Sequence, residues 1–243
     1  MSRSAALSLP TAAAPPPLAL LLAELGVVRD WVRARVAPAV AARPALGSGE
    51  PILTLPGFLA GDTSMRQMRA NLNSAGFRAK RWKQGANLGA RADTISRLHY
   101  RVRHAADREG RPVHLVGWSL GGLFAREYAK HYPDNVASVI TMGSPFSGSL
   151  RANHAWRLYQ FVARHDVEAP PVPFHPAPRP AVPTFALWSA RDGVVAPACA
   201  MGSDAERDRA IEVDCTHIGF AYAPEAIDAV IACVKQAEAM RRA

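Results

Sequence analysis

Ser119 stands in Gly117-Trp118-Ser119-Leu120-Gly121, a G-x-S-x-G pattern followed by a further glycine, Gly122. Alone the pattern is common. Here it follows the apolar run 113–116 and opens a helix-like run over 120–131, and that context gives it chemical meaning. A sharp strand-to-helix turn would expose the serine hydroxyl and aim the helix dipole and its free N–H groups at the same point. Gly117 and Gly121 would keep the crowded turn clear of side chains. A serine hydroxyl is a weak nucleophile at neutral pH, so it needs a base within reach and a group to orient that base. Of the eight histidines, only His217 directly follows a late strand. His114 falls inside a strand, His131 ends a helix on the wrong side, His99 and His104 lie in a helix, and His154, His165 and His175 belong to an insertion. The acid is expected in the exit loop of the preceding strand, Ser189-Ala190-Arg191-Asp192-Gly193-Val194-Val195. There Asp192 would accept the imidazole N–H, fix its tautomer and stabilise the imidazolium. Its rivals are Asp166 and Asp214. A tetrahedral intermediate also needs N–H donors about 3 Å from the developing charge. The donors expected are the backbone of Leu120 and of Phe58, the latter in Leu55-Pro56-Gly57-Phe58-Leu59.

The elements that must position these groups alternate. Helix is expected over 18–36, 63–75, 91–109, 120–131, 155–164 and 223–240. Strands are expected over 52–55, 77–82, 113–116, 136–142, 184–188 and 211–213. Asp62 or Thr63 is placed to cap the second helix. Strand–helix alternation predicts a mostly parallel sheet of about six strands with helices on both faces, and ligands then bind at the carboxyl ends of the strands. One stretch breaks the alternation. About 40 residues separate the fourth strand from the fifth, and 170–183 holds seven prolines. Proline denies helix and central strand, so 147–183 reads as a short Pro-rich cap or lid, with a passive strap as the plainer reading. The parts are then a disordered tail over 1–17, a helix and linker over 18–49, and one catalytic domain over 50–243. In the first helix Leu21, Leu25, Val28 and Val32 form the apolar face expected to dock on the domain, and Glu24 interrupts the run.

Composition narrows the partners. The chain has 243 residues, 49% hydrophobic and 20% charged, with a net charge of +9. That suits one globular domain and excludes a coiled coil or fibre. Twenty-five of the 29 basic residues are arginines, and they are scattered. The densest stretch, with Arg97, Arg101, Arg103, Arg108 and Arg111, falls in a helix, and no nucleic-acid motif accompanies it. No nucleic-acid partner is expected, while peripheral membrane contact stays open. Three cysteines without a convincing leader suggest a cytoplasmic protein, with export open. Cys199 and Cys215 would pair only if the acid and base loops bring them together.

With these pieces in hand, the chain resembles the α/β-hydrolase superfamily, and within it the small bacterial lipase- and esterase-like members. The likeness runs from about residue 51 to 234. It rests on Leu55-Pro56-Gly57-Phe58, the 117–122 turn, Met142-Gly143-Ser144-Pro145, the Asp192 loop and Thr216-His217. The chain departs from the pattern in carrying Pro56 where many lipases have histidine, and in lacking evident leading antiparallel strands. The resemblance implies ester hydrolysis through an acyl-enzyme, with no metal or organic cofactor, Ser119 as nucleophile, Asp192 as acid and His217 as base. The substrate would be a small-molecule or lipid ester. Leu59, Trp118 and Phe146 are candidate pocket residues, with Phe58, Trp156 and Phe161 beside them. Two further readings stand beside the esterase. One is an acyltransferase using the same triad, and the other is a non-catalytic binding protein on the same fold.

Overall fold

The computed structural model describes residues 14–36, 45–148, 153–164, 171 and 175–242. Most of the expected tail, with residues 149–152, His165, Asp166 and the side chain of Phe161, lies outside the described residues. Six strands form one parallel sheet in the order β2-β1-β3-β4-β5-β6. They are β1 (Pro51–Leu55), β2 (Arg78–Arg81), β3 (Val113–Trp118), β4 (Val136–Met142), β5 (Thr184–Trp188) and β6 (Arg209–Glu212). The helices are α1 (Leu18–Val36), α2 (Arg66–Ser74), α3 (Thr94–Glu109), α4 (Leu120–His131), α5 (Trp156–Ala163), α6 (Pro197–Met201) and α7 (Pro224–Met240). The short helix α6 has no counterpart in the sequence-based expectation.

The central strands are buried along their whole length because both sheet faces are covered. Alternate residues serve opposite cores. Ile52, Val116, Ile140, Met142 and Phe185 join α2 and α7 in one cluster, while Leu53, Leu55, Leu115, Val139 and Ala186 join α3 and α4 in the other. The edge strands β2 and β6 keep their end residues exposed. Chain direction across the sheet reverses between β1 and β3, where Leu55 pairs with Gly117. Such a switch point separates the two exit loops and opens a crevice between them.

Two expectations are corrected here. The docked face of α1 is not the one predicted. Leu25 is 67% exposed, Val28 and Val32 are exposed with Leu18 and Leu22, and Glu24 is buried. The helix turns its charged residue inward because backbone donors await it, and leaves an apolar stripe in solvent. Second, Asp62 caps no helix. It precedes α2 in a single 3-10 turn and accepts the N–H of Trp82 (3.0 Å) and of Lys83 (3.2 Å), so it closes the end of β2 instead. The described part of the proline-rich stretch is anchored on α4 and on the loop before β6. The Arg126 guanidinium, buried in α4, donates to the carbonyls of Pro176, Ala177 (2.7 Å) and Glu206 (2.8 Å). Glu127 accepts the His175 N–H at 3.1 Å, and Arg179 pairs with Asp208 at 2.7 Å. Prolines leave carbonyls without a matching N–H, and one guanidinium supplies several donors at once. Burial pulls the Arg126 guanidinium down to about 10 despite the Glu206 charge.

Candidate active site

Ser119 sits at φ 52°, ψ −122°, between the last residue of β3 and the first of α4. Few residues with a side chain adopt this conformation, and such strain clusters at functional sites. The turn is held because its surroundings leave no alternative. A Cβ on Gly117 would lie 2.4 Å from Gly122 Cα, and one on Gly121 would lie 2.3 Å from the Leu55 carbonyl oxygen. The Ser119 N–H donates to Met142 O at 2.8 Å, which ties the turn to β4.

The Asp192 and His217 loops meet beside it. Asp192 Oδ2 lies 2.8 Å from His217 Nδ1, and both residues are buried. Asp192 Oδ1 accepts two N–H groups, from Val194 and Val195, each at 2.8 Å. The carboxylate is thus aimed by the backbone of its own loop. Gly143 leaves room for it, since a Cβ there would lie 2.9 Å from Oδ2. Ser189 Oγ donates to Cys215 O at 2.6 Å and joins the two loops directly. Burial pushes the imidazole pKa down, but the charge and hydrogen bond of Asp192, with Glu24 behind it, outweigh burial and raise it. The rival Asp214 is exposed and pairs with Arg191 at 3.0 Å.

Trp118 links the Ser119 turn to His217. Its Nε1 donates to the His217 carbonyl at 2.9 Å, and the two rings lie 5.8 Å apart. Among the described residues Ser119 Oγ makes no hydrogen bond, to His217 Nε2 or otherwise. Such contacts often tighten only when substrate is bound.

The β1 exit loop lies against the serine. A Cβ on Gly57 would meet Ser119 Cβ at 3.2 Å. The N–H of Leu59 is spent on Asn87 O at 2.8 Å, whereas neither Phe58 nor Leu120 spends its N–H on a described residue. Those two are the donors expected from the sequence. The loop is shaped by Asn87, which sequence reasoning missed. This buried side chain donates to Pro56 O at 2.8 Å, and its backbone N–H donates to Ala60 O at 2.8 Å. An asparagine between two glycines carries no periodic signal, and only Gln84-Gly85-Ala86-Asn87 as a turn-rich run could have hinted at it. We predict that Asn87→Ala, by stranding Pro56 O and loosening the loop, costs about 1–3 kcal/mol and lowers kcat/KM roughly tenfold or more. Thermal melting and ester kinetics on the same sample check both.

The candidate pocket residues separate. Leu59 stands half-exposed at a left-handed φ of 59° on the rim. Trp118 is buried and occupied with His217. Phe146 is corrected to a core residue, 2% exposed, with the Arg126 guanidinium 4.1 Å over its ring. Phe58 packs on Tyr159 with ring centroids 5.3 Å apart. His114 is structural, buried between Ser138 and Glu238. All three cysteines are free and buried, so Cys199 and Cys215 do not pair.

Among curated proteins no sequence matches the chain. A family model described as the alpha/beta hydrolase fold matches residues 55–172. Among solved structures, a membrane phospholipase A described as a bacterial virulence factor aligns over 91% of this chain and 97% of its own, at 18% identity and a TM-score of 0.58. Lipase B of Aspergillus fumigatus aligns over 82% of this chain and 56% of its own, at 16% identity and a TM-score of 0.56. An alpha/beta hydrolase enzyme from lagoon sediments of Mar Chica, Morocco, aligns over 76% and 90%, at 20% identity and a TM-score of 0.50. These identities speak to fold rather than substrate. No described helix is long and apolar enough to cross a membrane. With the six-stranded parallel sheet, the strained serine turn after β3 and the matching family model, the chain has the alpha/beta hydrolase fold, consistent with a member of that superfamily.

Proposed function

We propose that the protein is a serine hydrolase cleaving carboxylic esters through an acyl-enzyme. The observation that carries this reading is the strained Ser119 beside a buried His217 whose Nδ1 is held 2.8 Å from Asp192. In the first half-reaction Ser119 Oγ attacks the ester carbonyl carbon, and its proton passes to His217 Nε2. The Phe58 and Leu120 N–H groups take the negative charge on the carbonyl oxygen. The intermediate then expels the alcohol, which receives the proton from His217. Water repeats the sequence with the acyl group on Ser119 and releases the acid. Asp192 keeps the proton on Nδ1 throughout, so that Nε2 is free to accept.

The same groups would serve an acyltransferase, in which an alcohol, amine or thiol replaces water. p-Nitrophenyl esters from short to long chain, assayed with and without an added alcohol, separate the two. A hydrolase releases free acid in step with p-nitrophenol, whereas a transferase diverts most acyl groups to the alcohol. No hydrolysis of any ester and no labelling of Ser119 by a fluorophosphonate would overturn both readings. A small-molecule or lipid ester fits this chemistry. The exposed apolar stripe of α1, Leu18, Leu22, Leu25, Val28 and Val32, is the surface that would make peripheral lipid contact. Running the long-chain esters with and without micelles reports whether that contact matters.

A further inference from the structure

Glu24 lies on α1, outside the expected catalytic domain, yet it reaches into the site. It is 3% exposed. Its Oε1 accepts the N–H of Gly193 at 3.0 Å and the N–H of His217 at 2.6 Å, and its Oε2 accepts the N–H of Ile218 at 3.0 Å. Gly193 follows Asp192, and the other two donors belong to the base and its successor. All three N–H groups lie in loops, outside the sheet, and none is shared with another acceptor. One carboxylate therefore bridges the acid loop and the base loop from above.

The helix that brings it is seated closely. A Cβ on Gly193 would lie 2.3 Å from Leu20 O, so the α1 main chain rests directly on the acid loop. At the start of α1, His154 Nε2 lies 2.7 Å from Pro16 O, while the His154 N–H donates to Val194 O at 3.0 Å. The same loop that carries Asp192 is thus held by Glu24 on one side and by residues 153–154 on the other. Ser189 already joins the two loops at their base. Glu24 joins them again at the residues that carry the chemistry.

We propose that Glu24 is a positioning residue for Asp192 and His217, which makes docking of α1 a condition of full activity. The inference rests on the Ser119–Asp192–His217 reading. Its carboxylate fixes the His217 backbone, and with it the direction of the imidazole. Misplacing a catalytic group by about 1 Å can cost on the order of a hundredfold in rate. The charged groups facing the imidazole are Asp192 from its loop and Glu24 from α1, and both favour the imidazolium.

The test uses full-length Glu24→Gln and Glu24→Asp, with Ser119→Ala as reference. Glutamine keeps the size, removes the charge and turns an NH2 toward a backbone N–H. We expect kcat to fall about ten- to hundredfold with KM nearly unchanged. The rising limb of kcat/KM, which reports the neutral base, should move roughly half a unit to lower pH as the imidazolium loses a supporting charge. Aspartate keeps the charge on a shorter arm, so the limb should stay in place while kcat falls less. Wild-type kcat and an unmoved limb in a folded Glu24→Gln protein, with only the melting temperature lowered, would reduce Glu24 to a helix anchor and overturn the proposal. Should Glu24→Gln fail to fold, a folded Glu24→Asp protein with wild-type kcat does the same. Activity surviving in Ser119→Ala would instead sink the triad reading itself.

Discussion

Replacing Ser119 by alanine is expected to remove ester hydrolysis, lowering kcat by roughly a factor of 10^6, the size seen when the nucleophile of a serine triad is removed. Covalent labelling by a fluorophosphonate should vanish with it. The fold should not suffer, because Ser119 Oγ holds no described residue and alanine keeps the Cβ. The backbone strain at φ 52° belongs to the turn and not to the hydroxyl. Ser119→Gly gives a useful contrast. Glycine accepts a positive φ without steric cost, so this variant should be as inactive as Ser119→Ala but more stable, by about 1 kcal/mol or more. Calorimetry and active-site titration on the three proteins separate the chemical role of the residue from its conformational one. Retained hydrolysis in either variant would mean that another group is the nucleophile.

Asp192→Asn is expected to lower kcat by about 10^4-fold with the fold intact. The local geometry makes the reason specific. Oδ1 accepts two backbone N–H groups and Oδ2 faces the imidazole. An asparagine cannot turn its NH2 toward Val194 and Val195 without setting donor against donor. Its oxygen must stay there and its NH2 must face His217 Nδ1. The ring then presents Nδ1 as an acceptor, carries its proton on Nε2 and can no longer take one from Ser119. The pH profile should change as well. Asp192 is the main group opposing burial of the imidazolium. With its charge gone, burial dominates and the pKa falls, so the residual kcat/KM should rise at lower pH than in the wild type. NMR of the His217 ring protons across the titration checks both the tautomer and the shift. A wild-type tautomer in Asp192→Asn would show that the acid lies elsewhere.

Strand, turn and helix around Ser119 were legible from local residues. The apolar run 113–116, the glycines at 117, 121 and 122 and the helix to His131 each state a short-range requirement. Parallel order followed from alternation, and Asp192 and His217 followed from where their strands end. The opposite holds for the polar residues that support them. Glu24 is 169 residues from Gly193 and 193 from His217, and Asn87 reaches Pro56 from the far side of β2. A buried polar group answers to whatever donor or acceptor the fold brings against it, and that partner leaves no period in the chain. For the same reason α1 was read with its wrong face inward: periodicity ranks residues by hydropathy and cannot register three backbone donors waiting for a carboxylate. The anchoring of the proline-rich stretch on Arg126 was not legible either, because proline content reveals stiffness without revealing what holds it. The sequence by itself determined the element order, the parallel sheet and the placing of a serine, an acid and a histidine at its carboxyl edge, because each depends on neighbouring residues. Only the tertiary structure decided how α1 docks, how the β1 exit loop is pinned and how the Asp192 carboxylate is aimed, because those depend on satisfying buried polar groups across the whole chain.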